Sequence, residues 1–527
     1  MRRRNLLFLF GLLGILTLLT RLPLLWENYF HSDEALFALS AKIWMLGGIP
    51  YVDWIETKPL GVYSFYSLAS WLSGSLPNIN MQAVHLLAMA WTLGTAWTLS
   101  VIARKLVPNT EKFWRNPGMT AGLFFVLFSS FWDPTIVSVS IEVVLLLPLC
   151  LGIALLPTEP GEIGPFRSFL VGLCAAAAFL CKYQAGILIP VVFIYFWIVP
   201  WKVRGSFKKS IIASLFFIIG FIPLPLAMIF YLKVIGAWQG FVFWNFLGNY
   251  FYIRDGNAAV DLGPKILTQI LRYVGSTLLL WCLATHRLVR RRQPIPPYER
   301  LIWIWFFLSF IPVSVGKRFE DHYFLFLTPC LSVLAAVALY HASPAFWKRW
   351  RPMILIGLFL PAVGFTVTRF FFRPLDRRFD GEDIASYKPY AAYLKERTDP
   401  ADPVFLWGCA PSVYLEVERM PASRFLRTDV LAGRVSGFVP QEGKPFDPKP
   451  FIVPKTWEML FDDFRRHPPV YILDMAPTGL HDFTLYPMTN YPPLMEYVSR
   501  HYRREASFEK AAVYRRISAP TRDNEGR

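Results

Sequence analysis

Two short segments near the start of the chain carry charged residues that are candidates for a functional site. The first, residues 31–34, reads His-Ser-Asp-Glu and is followed by an apolar stretch that ends at Gly47. Ser32 is predicted to cap a short surface helix with Asp33 and Glu34 in its first turn, where the helix dipole favours negative charge. A carboxylate in this position stays ionised. A purely structural explanation is also open, because acidic residues are common at helix N-termini.

The second segment follows directly and contains Glu56 and Lys58. Lys58 precedes a proline, and this proline is predicted to open a second surface helix that runs to Trp71. The ammonium group of Lys58 would then lie near a membrane surface, where an anionic lipid head could reach it. The alternative is an interfacial lysine that only extends its charge toward the lipid headgroups.

Further charged residues lie within or beside apolar stretches. Glu142 lies inside one such stretch, Lys182 ends another, and residues 316–323 read Gly-Lys-Arg-Phe-Glu-Asp-His-Tyr between two more. Ionisable groups at membrane depth are costly, so they are candidates for function by default. The structural alternative is a pair of internal salt bridges, Glu142 with Lys182 and Arg318 with Asp321.

The composition indicates a membrane protein. Hydrophobic residues make up 54% of the 527 residues, only 17% are charged, and the mean hydropathy is +0.37. Soluble proteins are typically about a quarter charged. A net charge of +17 could indicate nucleic-acid binding, but much of the Lys and Arg lies in short loops between apolar stretches, where it sets membrane topology. We therefore expect contact with membrane lipids and no nucleic-acid partner.

A scan for stretches of roughly 20 apolar residues predicts about eleven transmembrane helices. They fall near residues 5–25, 81–103, 117–132, 139–157, 167–182, 184–200, 210–232, 265–285, 300–316, 322–341 and 352–372. Basic clusters follow alternate stretches, so the positive-inside rule predicts a multi-pass protein of the cytoplasmic (inner) membrane with a cytoplasmic N-terminus. Lys317 and Arg318 oppose this trend, which suggests that an anionic group outside compensates them.

The C-terminal tail has the pattern of a small α/β domain. Strands are predicted at residues 404–407, 470–473 and 511–514, and helices at 457–466 and 494–502. The predicted organisation is a transmembrane domain over residues 1–372, with two surface helices in its first outer loop, and an extracytoplasmic α/β domain over residues 373–527.

Other chemistries find little support in the sequence. It contains no P-loop, no HExxH zinc motif and no GxSxG nucleophile motif, and its cysteines and histidines lack zinc-site spacing. A transporter would place charges near the membrane midplane. Here the charges cluster at the outer ends of the apolar stretches.

The order of these features resembles the GT-C class of membrane glycosyltransferases. The closest branch contains the protein O-mannosyltransferases and the lipid A aminoarabinose transferases. An Asp-Glu pair in the first outer loop, a Lys-Pro that opens a second surface helix, and Arg-Phe-x-x-His-Tyr-Phe before a late span occur in this order. The resemblance extends to about residue 340 and is strongest in residues 31–71 and 316–329. In the tail, Trp407-Gly408 and Arg424-Phe425 are similar to the soluble domains of bacterial members.

The resemblance implies roles for individual residues. Asp33 corresponds to the catalytic carboxylate of the family and Glu34 to its neighbour. Lys58 corresponds to the lysine that meets the lipid phosphate, and Arg318 and His322 to the basic segment near that phosphate. Many relatives continue Lys-Pro-Pro, whereas this chain has a leucine after the proline, which weakens the prediction of where the second surface helix begins.

Charge and position add further candidates to those roles. Lys182 and Lys317 are additional candidates for binding the donor phosphate. Glu56, Glu142 and Tyr323 are other candidate site residues. No metal ligand is assigned.

The resemblance implies an inverting transfer of a hexose or pentose from a polyprenyl-phosphate donor to a protein, lipid or glycan acceptor on the outer face. A carboxylate would accept the acceptor's proton, and fixed cations would stabilise the leaving phosphate. No cofactor is required; a divalent cation could be held by carboxylates but is not expected. Two alternatives stay open: a non-enzymatic lipid or polysaccharide transporter, and an oligosaccharide transferase or ligase that uses a diphosphate donor.

Overall fold

The computed structural model describes residues 3–26, 28–107, 116–130, 134–159, 162–197, 206–258, 263–290, 294–372, 384–435 and 447–517. Helices account for most of the chain before the tail. In order they are α1 (Arg3–Arg21), α2 (Ser32–Met45), α3 (Gly61–Leu72), α4 (Met81–Leu106), α5 (Pro117–Phe128), α6 (Ile141–Leu155), α7 (Pro165–Phe179), α8 (Leu188–Trp197), α9 (Ser206–Phe221), α10 (Pro223–Val234), α11 (Trp238–Val242), α12 (Asn249–Ala258), α13 (Gly263–Ser276), α14 (Leu278–Arg290), α15 (Pro297–Leu308), α16 (Phe310–Ser314), α17 (Thr328–His341) and α18 (Pro344–Phe372).

Within these described residues, four helical segments are long and apolar enough to cross a membrane: Leu7–Leu25, Met81–Leu106, Phe207–Val234 and Pro297–Lys317. A fifth candidate is the pair Ile266–Ser276 and Leu278–Val289, which is bent by 76°. The prediction of about eleven spans is therefore not confirmed. Several predicted spans fold as apolar helices of 10–17 residues, shorter than the roughly 20 residues that a straight span needs.

Helices α7 and α9 pack closely through glycine residues. A Cβ on Gly172 of α7 would lie 2.0 Å from the carbonyl oxygen of Phe217 of α9, and a Cβ on Gly220 would lie 2.0 Å from the carbonyl oxygen of Phe169. The two backbones therefore touch at two points, as in membrane helix pairs whose interfaces are built from small residues. By contrast, only 22% of the most apolar window in Phe207–Val234 is buried, which suits a helix that faces lipid.

Contacts divide the chain into two compact units. The first comprises Met1–Phe30, Lys58–Trp238 and Asp261–Gly381. The second comprises His31–Thr57, Gln239–Val260 and Glu382–Arg527. The predicted boundary at residue 372 assigned only the tail to the second unit. By contact, His31–Thr57, which includes α2, and Gln239–Val260, which includes α12, group with the tail.

The tail contributes a four-stranded sheet to the second unit. Its elements are α19 (Lys388–Lys395), β1 (Val404–Trp407), α20 (Pro411–Val417), α21 (Asp429–Ala432), α22 (Thr456–Arg466), β2 (Tyr471–Asp474), α23 (Pro492–His501), β3 (Tyr502–Phe508) and β4 (Ala511–Arg516). The strand order is β1-β2-β4-β3, with β1 and β2 parallel and the other pairs antiparallel. The predicted α/β character is confirmed.

Strand β3 was not predicted. Its sequence, Tyr-Arg-Arg-Glu-Ala-Ser-Phe, is largely polar, and most of its side chains are exposed or half-buried. It lies at the edge of the sheet, where charged residues are tolerated and protect the strand from pairing with other chains. The residues therefore lack the alternating apolar pattern by which the other strands were predicted.

Both helices that were predicted in the first loop are present. The first is α2, whose N-cap is His31 and not Ser32: the imidazole Nδ1 of His31 accepts the backbone N–H of Asp33 at 3.1 Å. Ser32 is instead the first helical residue. The second surface helix, α3, begins at Gly61, two residues after the proline at which it was predicted to open.

Candidate functional site

The first group of candidate residues belongs to the unit that contains the tail. Asp33 and Glu34 lie in the first turn of α2, as predicted. The side chain of Asp33 is 29% exposed, whereas Glu34 is almost completely buried. Of the two carboxylates, Asp33 is therefore the one that a substrate can reach.

An arginine of the tail, Arg427, contacts two carboxylates of the first loop, those of Asp33 and Glu56. Its Nη2 donates to Oε1 of Glu56 at 3.1 Å, and its Nη1 lies 3.6 Å from Oδ1 of Asp33. Its Nε lies 3.5 Å from Oδ2 of Asp429. One guanidinium thus faces three carboxylates, and about a third of the arginine side chain remains exposed (34%).

The electrostatics of this cluster keep Arg427 and Asp429 charged. Burial alone would lower the pKa of Arg427, but the three carboxylates raise it above its usual value. Burial alone would raise the pKa of Asp429, but Arg434 and Arg427 lower it. Arg434 donates to Oδ1 of Asp429 at 2.5 Å, so a second guanidinium stabilises this carboxylate.

The segment that carries Glu56 is fixed by backbone and side-chain hydrogen bonds. Oε2 of Glu56 accepts the backbone N–H of Thr57 at 3.1 Å. The carbonyl oxygen of Thr57 accepts Nδ2 of Asn249, on α12, at 2.8 Å. On the other side, the N–H of Ile55 donates to the carbonyl oxygen of Arg424 at 3.2 Å. The residues just before Lys58 are thus held on both sides.

The second group of candidates belongs to the helical unit and centres on a buried ion pair. Nζ of Lys182 contacts Oε1 of Glu142 at 2.5 Å, and both residues are buried. The ammonium also lies 3.8 Å from the centroid of the Tyr323 ring, in a cation–π arrangement. The salt bridge between Glu142 and Lys182, which the sequence left open as an alternative, is therefore present.

His322 joins this pair at a longer distance. Its Nε2 lies 3.9 Å from Oε2 of Glu142, and its ring lies 4.9 Å from that of Tyr323 in an edge-on arrangement. Asp321 was considered as a partner for Arg318. Its Oδ1 lies 3.7 Å from Nη1 of Arg272, on α13. The structure thus brings together Glu142, Lys182, His322 and Tyr323.

The backbone of residues 316–319 is strained. Gly316, Lys317 and Phe319 all have positive φ angles, of 78°, 52° and 48°. Non-glycine residues rarely adopt this conformation, and such strain persists where the surroundings impose it, often at functional sites. Within this segment the side chain of Arg318 is buried and that of Lys317 is exposed.

Lys58 is half-buried just before α3. The N–H of Gly61, at the start of that helix, donates to the carbonyl oxygen of Leu180 at 2.8 Å. Leu180 lies two residues before Lys182, so the backbone segments that carry the two lysines are joined by this hydrogen bond.

Arg427 is the residue that sequence reasoning missed. It lies 371 residues from Glu56 in the chain, and nothing in its immediate sequence distinguishes it from the other basic residues of the tail. The nearby Arg424, which drew attention in the sequence, instead forms a two-oxygen ion pair with Asp463 of α22. Among the described residues, no group of three or more His, Cys, Asp or Glu side chains is placed to hold a metal ion.

No family profile matches the sequence, and no curated protein sequence is significantly similar to it. Solved structures do match. ArnT from Cupriavidus metallidurans bound to undecaprenyl phosphate superposes with a TM-score of 0.60 at 13% identity, over 98% of this chain and 99% of that one. The apo state of the same protein gives a TM-score of 0.57 at 12% identity, with the same coverage.

The oligosaccharyltransferase of Archaeoglobus fulgidus, in complex with zinc and sulfate, gives a TM-score of 0.52 at 13% identity. The match covers 94% of this chain and 71% of that chain. ArnT is a lipid A aminoarabinose transferase, and both proteins are GT-C membrane glycosyltransferases. The chain therefore has the GT-C fold, and the resemblance inferred from the sequence is confirmed at the level of the fold.

Proposed function

We propose that this protein is a membrane glycosyltransferase that moves a sugar from a polyprenyl-phosphate donor to an acceptor on the outer face of the cytoplasmic membrane. The observation that carries this proposal is the similarity to ArnT with bound undecaprenyl phosphate, which extends over 98% of this chain. The match includes both compact units and is therefore not limited to a helical scaffold.

In the proposed reaction, the acceptor hydroxyl oxygen bonds to the anomeric carbon as the bond from that carbon to the donor phosphate oxygen breaks. The phosphate leaves with the bonding electrons, and the hydroxyl proton passes to Asp33. A single displacement inverts the anomeric centre. Asp33 suits this role because it is partly exposed at a helix N-terminus, whereas the buried Glu34 suits a supporting role.

On the donor side, we assign Lys58 and Arg318 to the phosphate, with Lys317 and His322 as further contacts. Fixed cations stabilise a leaving phosphate most strongly in the transition state, where its charge is greatest. Lys182 is a weaker candidate than it was from the sequence, because Glu142 already balances its charge. Glu142 and Tyr323 then serve to hold Lys182.

The remaining features follow the sequence expectations. The N-terminus is proposed to be cytoplasmic, residues 1–372 to form the membrane domain, and residues 373–527 to form the outer α/β domain. The transferred sugar is a hexose or pentose, and the acceptor is a protein, lipid or glycan. The reaction is proposed to need no cofactor.

The decisive experiment uses the purified full chain and radiolabelled undecaprenyl-phosphate sugars, with envelope glycans and lipids as acceptors. Release of undecaprenyl phosphate together with labelled acceptor is expected. Asp33→Asn should lower the rate by about 10²–10⁴-fold, because the proton acceptor is lost. Asp53→Asn is the matched control, since Asp53 is an exposed acid of the same loop whose carboxylate accepts the N–H of Ile49.

Near-normal turnover by Asp33→Asn would remove Asp33 from the role of base. If the wild-type protein bound the lipid but released no lipid phosphate with any acceptor, the transporter alternative would replace this proposal.

The donor end is tested separately with Lys58→Ala. Donor affinity is expected to fall while acceptor affinity stays the same, because the ammonium is assigned to the donor phosphate. Lys42→Ala on α2 is the control for loss of a lysine near the same loop. A loss of acceptor affinity alone would assign Lys58 to the acceptor site and not to the donor phosphate.

The similarity to the archaeal oligosaccharyltransferase supports a second candidate, transfer from a diphosphate-linked oligosaccharide. This chain covers only 71% of that protein, which makes it the weaker candidate. Turnover of a diphosphate donor that is abolished by EDTA and restored by a divalent cation would favour it over the monophosphate donor.

A further inference from the structure

The α/β tail supplies one cation to the carboxylates of the first loop, and this contact gives the tail a specific task. The guanidinium of Arg427 meets Glu56 at hydrogen-bonding distance, 3.1 Å, and Asp33 at 3.6 Å. The side chain of Glu56 is 3% exposed, against 29% for Asp33. Glu56 is thus the anchor of the arginine, and Asp33 keeps access to solvent.

Arg427 is itself held rigidly by the sheet of the tail. The next residue, Thr428, is fully buried, and its N–H donates to the carbonyl oxygen of Gly408 at 3.0 Å, directly after β1. In return, the N–H of Gly408 donates to Oγ1 of Thr428 at 2.9 Å. These paired hydrogen bonds attach the backbone next to Arg427 to the end of a buried strand. A cation on rigid support keeps a constant distance to its partners.

We propose that Arg427 is a positioning residue for the transfer reaction: anchored on Glu56, it orients the Asp33 carboxylate and keeps it ionised for the acceptor. This inference rests on the proposed function. The tail thus contributes a cation that acts through Asp33, the proposed proton acceptor, and does not contact the substrate itself. A misplacement of a catalytic group by about 1 Å can cost 10²-fold in rate.

Other groups around the cluster must be considered in any pH dependence. They are His31, Glu34, Asp429, Arg434, Cys409 and His481. Asp429 faces both Arg427 and Arg434, so its charge is balanced without Asp33. Arg427 directly faces Asp33 and Glu56, and its removal is therefore expected to act on these two carboxylates.

The test compares Arg427→Gln and Arg427→Lys with the matched controls Arg424→Gln and Arg424→Lys in the full chain. Arg424 lies three residues earlier on the same segment, and its side chain pairs with Asp463. The assay measures release of undecaprenyl phosphate from undecaprenyl-phosphate sugars as a function of pH. Melting temperature in detergent is recorded for every variant.

Arg427→Gln is expected to lower kcat by about 10²-fold with little change in the KM for the donor. The acidic limb of its pH profile should move to higher pH, because a carboxylate that loses a neighbouring cation is protonated more easily. Arg427→Lys should keep that limb near the wild-type position while kcat stays reduced. A lysine retains the positive charge, but it lacks the several N–H donors with which the guanidinium contacts separate carboxylates. The Arg424 variants should lower the melting temperature and leave the limb in place.

A limb that stays in place in Arg427→Gln, with activity lost only in proportion to folded protein, would overturn the positioning role. If Arg427→Gln does not fold, Arg427→Lys decides: full wild-type kcat in that variant would also overturn it. A wild-type protein that transfers no sugar overturns the proposed function and this inference together, whereas active wild type with an unmoved limb overturns this inference alone.

Discussion

The two ion clusters of this molecule balance charge in different ways. In the helical unit, Lys182 has a close carboxylate partner in Glu142, and both side chains are less than 10% exposed. In the unit with the tail, one guanidinium is shared by three carboxylates and is about a third exposed. The first arrangement is closed, because its charges are already matched. The second carries more negative than positive charge around Arg427 and can respond to a substrate.

This difference bears on which residues can do chemistry. A buried, matched pair resists change, since separating it would leave a charge without water or partner. A partly exposed cluster can exchange one contact for another at little cost. We therefore expect the first cluster to govern folding and the second to govern turnover, and the following predictions test that division.

The largest effect is expected for Glu142→Gln. This change leaves Lys182 as a buried charge with no carboxylate at 2.5 Å, and breaking a buried pair typically costs about 3–5 kcal/mol. Glu56→Gln should cost less, because Arg427 keeps its contacts with Asp33 and Asp429. Thermal unfolding in detergent measures both. Equal destabilisation by the two variants would contradict the division.

The next prediction replaces both members of the buried pair at once. Glu142→Leu combined with Lys182→Met should recover most of the stability that either single change loses, because apolar residues of similar size remove the need for desolvated charge. The comparison of single and double variants is again made by thermal unfolding. If the double variant folds well but binds undecaprenyl phosphate poorly, Lys182 returns as a direct phosphate contact.

Asp474, a carboxylate of the tail, forms no salt bridge with any residue that the structure describes. Oxygens of Asp474 on β2 accept the N–H groups of Ala476 and Met488, and burial raises the pKa of Asp474 from 3.8 to about 6. The folded state therefore binds the proton more tightly than the unfolded state. Proton binding at Asp474 therefore contributes fully to the free energy of unfolding below about pH 4. This contribution is lost as the pH rises through about 6, and the loss is up to about 3 kcal/mol.

Hydrogen exchange of peptides from β2, corrected for the intrinsic pH dependence of exchange, reports this change in the full chain. Asp474→Asn should flatten the profile between pH 4 and 6. An unchanged profile in that variant would assign the pH dependence to another group.

The smallest expected effect is that of salt. Raising the ionic strength from about 0.1 M to about 1 M shortens the screening length from about 10 Å to about 3 Å, which weakens partly exposed ion pairs by less than about 1 kcal/mol. Exchange in residues 31–57 should therefore increase slightly, and exchange around Glu142 should not. An equal response in both regions would show that the two clusters are equally accessible to ions.

The sequence predicted those elements whose pattern is local. Strands β1, β2 and β4, the helices α22 and α23, and the first-turn carboxylates of α2 follow from apolar periodicity and helix signals within a few residues. Strand β3 could not be predicted in this way, because it is defined by its place at a sheet edge. The N-cap was misassigned because His31 and Ser32 are adjacent and both carry acceptors.

The candidate site was predictable only where chemistry and sequence coincide. A Glu and a Lys in apolar stretches suggested the pair between Glu142 and Lys182, since charges at such depth need partners. Arg427 was not predictable, because its role depends on a fold that brings the tail to a loop hundreds of residues earlier. The predicted number of spans is not confirmed, because hydropathy counts apolar residues and does not register where a helix breaks.

The glycine contacts between α7 and α9 have a consequence for the route of a long-chain lipid. Where the two backbones touch at Gly172 and Gly220, no side chain can swing aside to open a passage. Under the proposed function, the polyprenyl tail of the donor is therefore not expected to enter between α7 and α9 at these two points of contact.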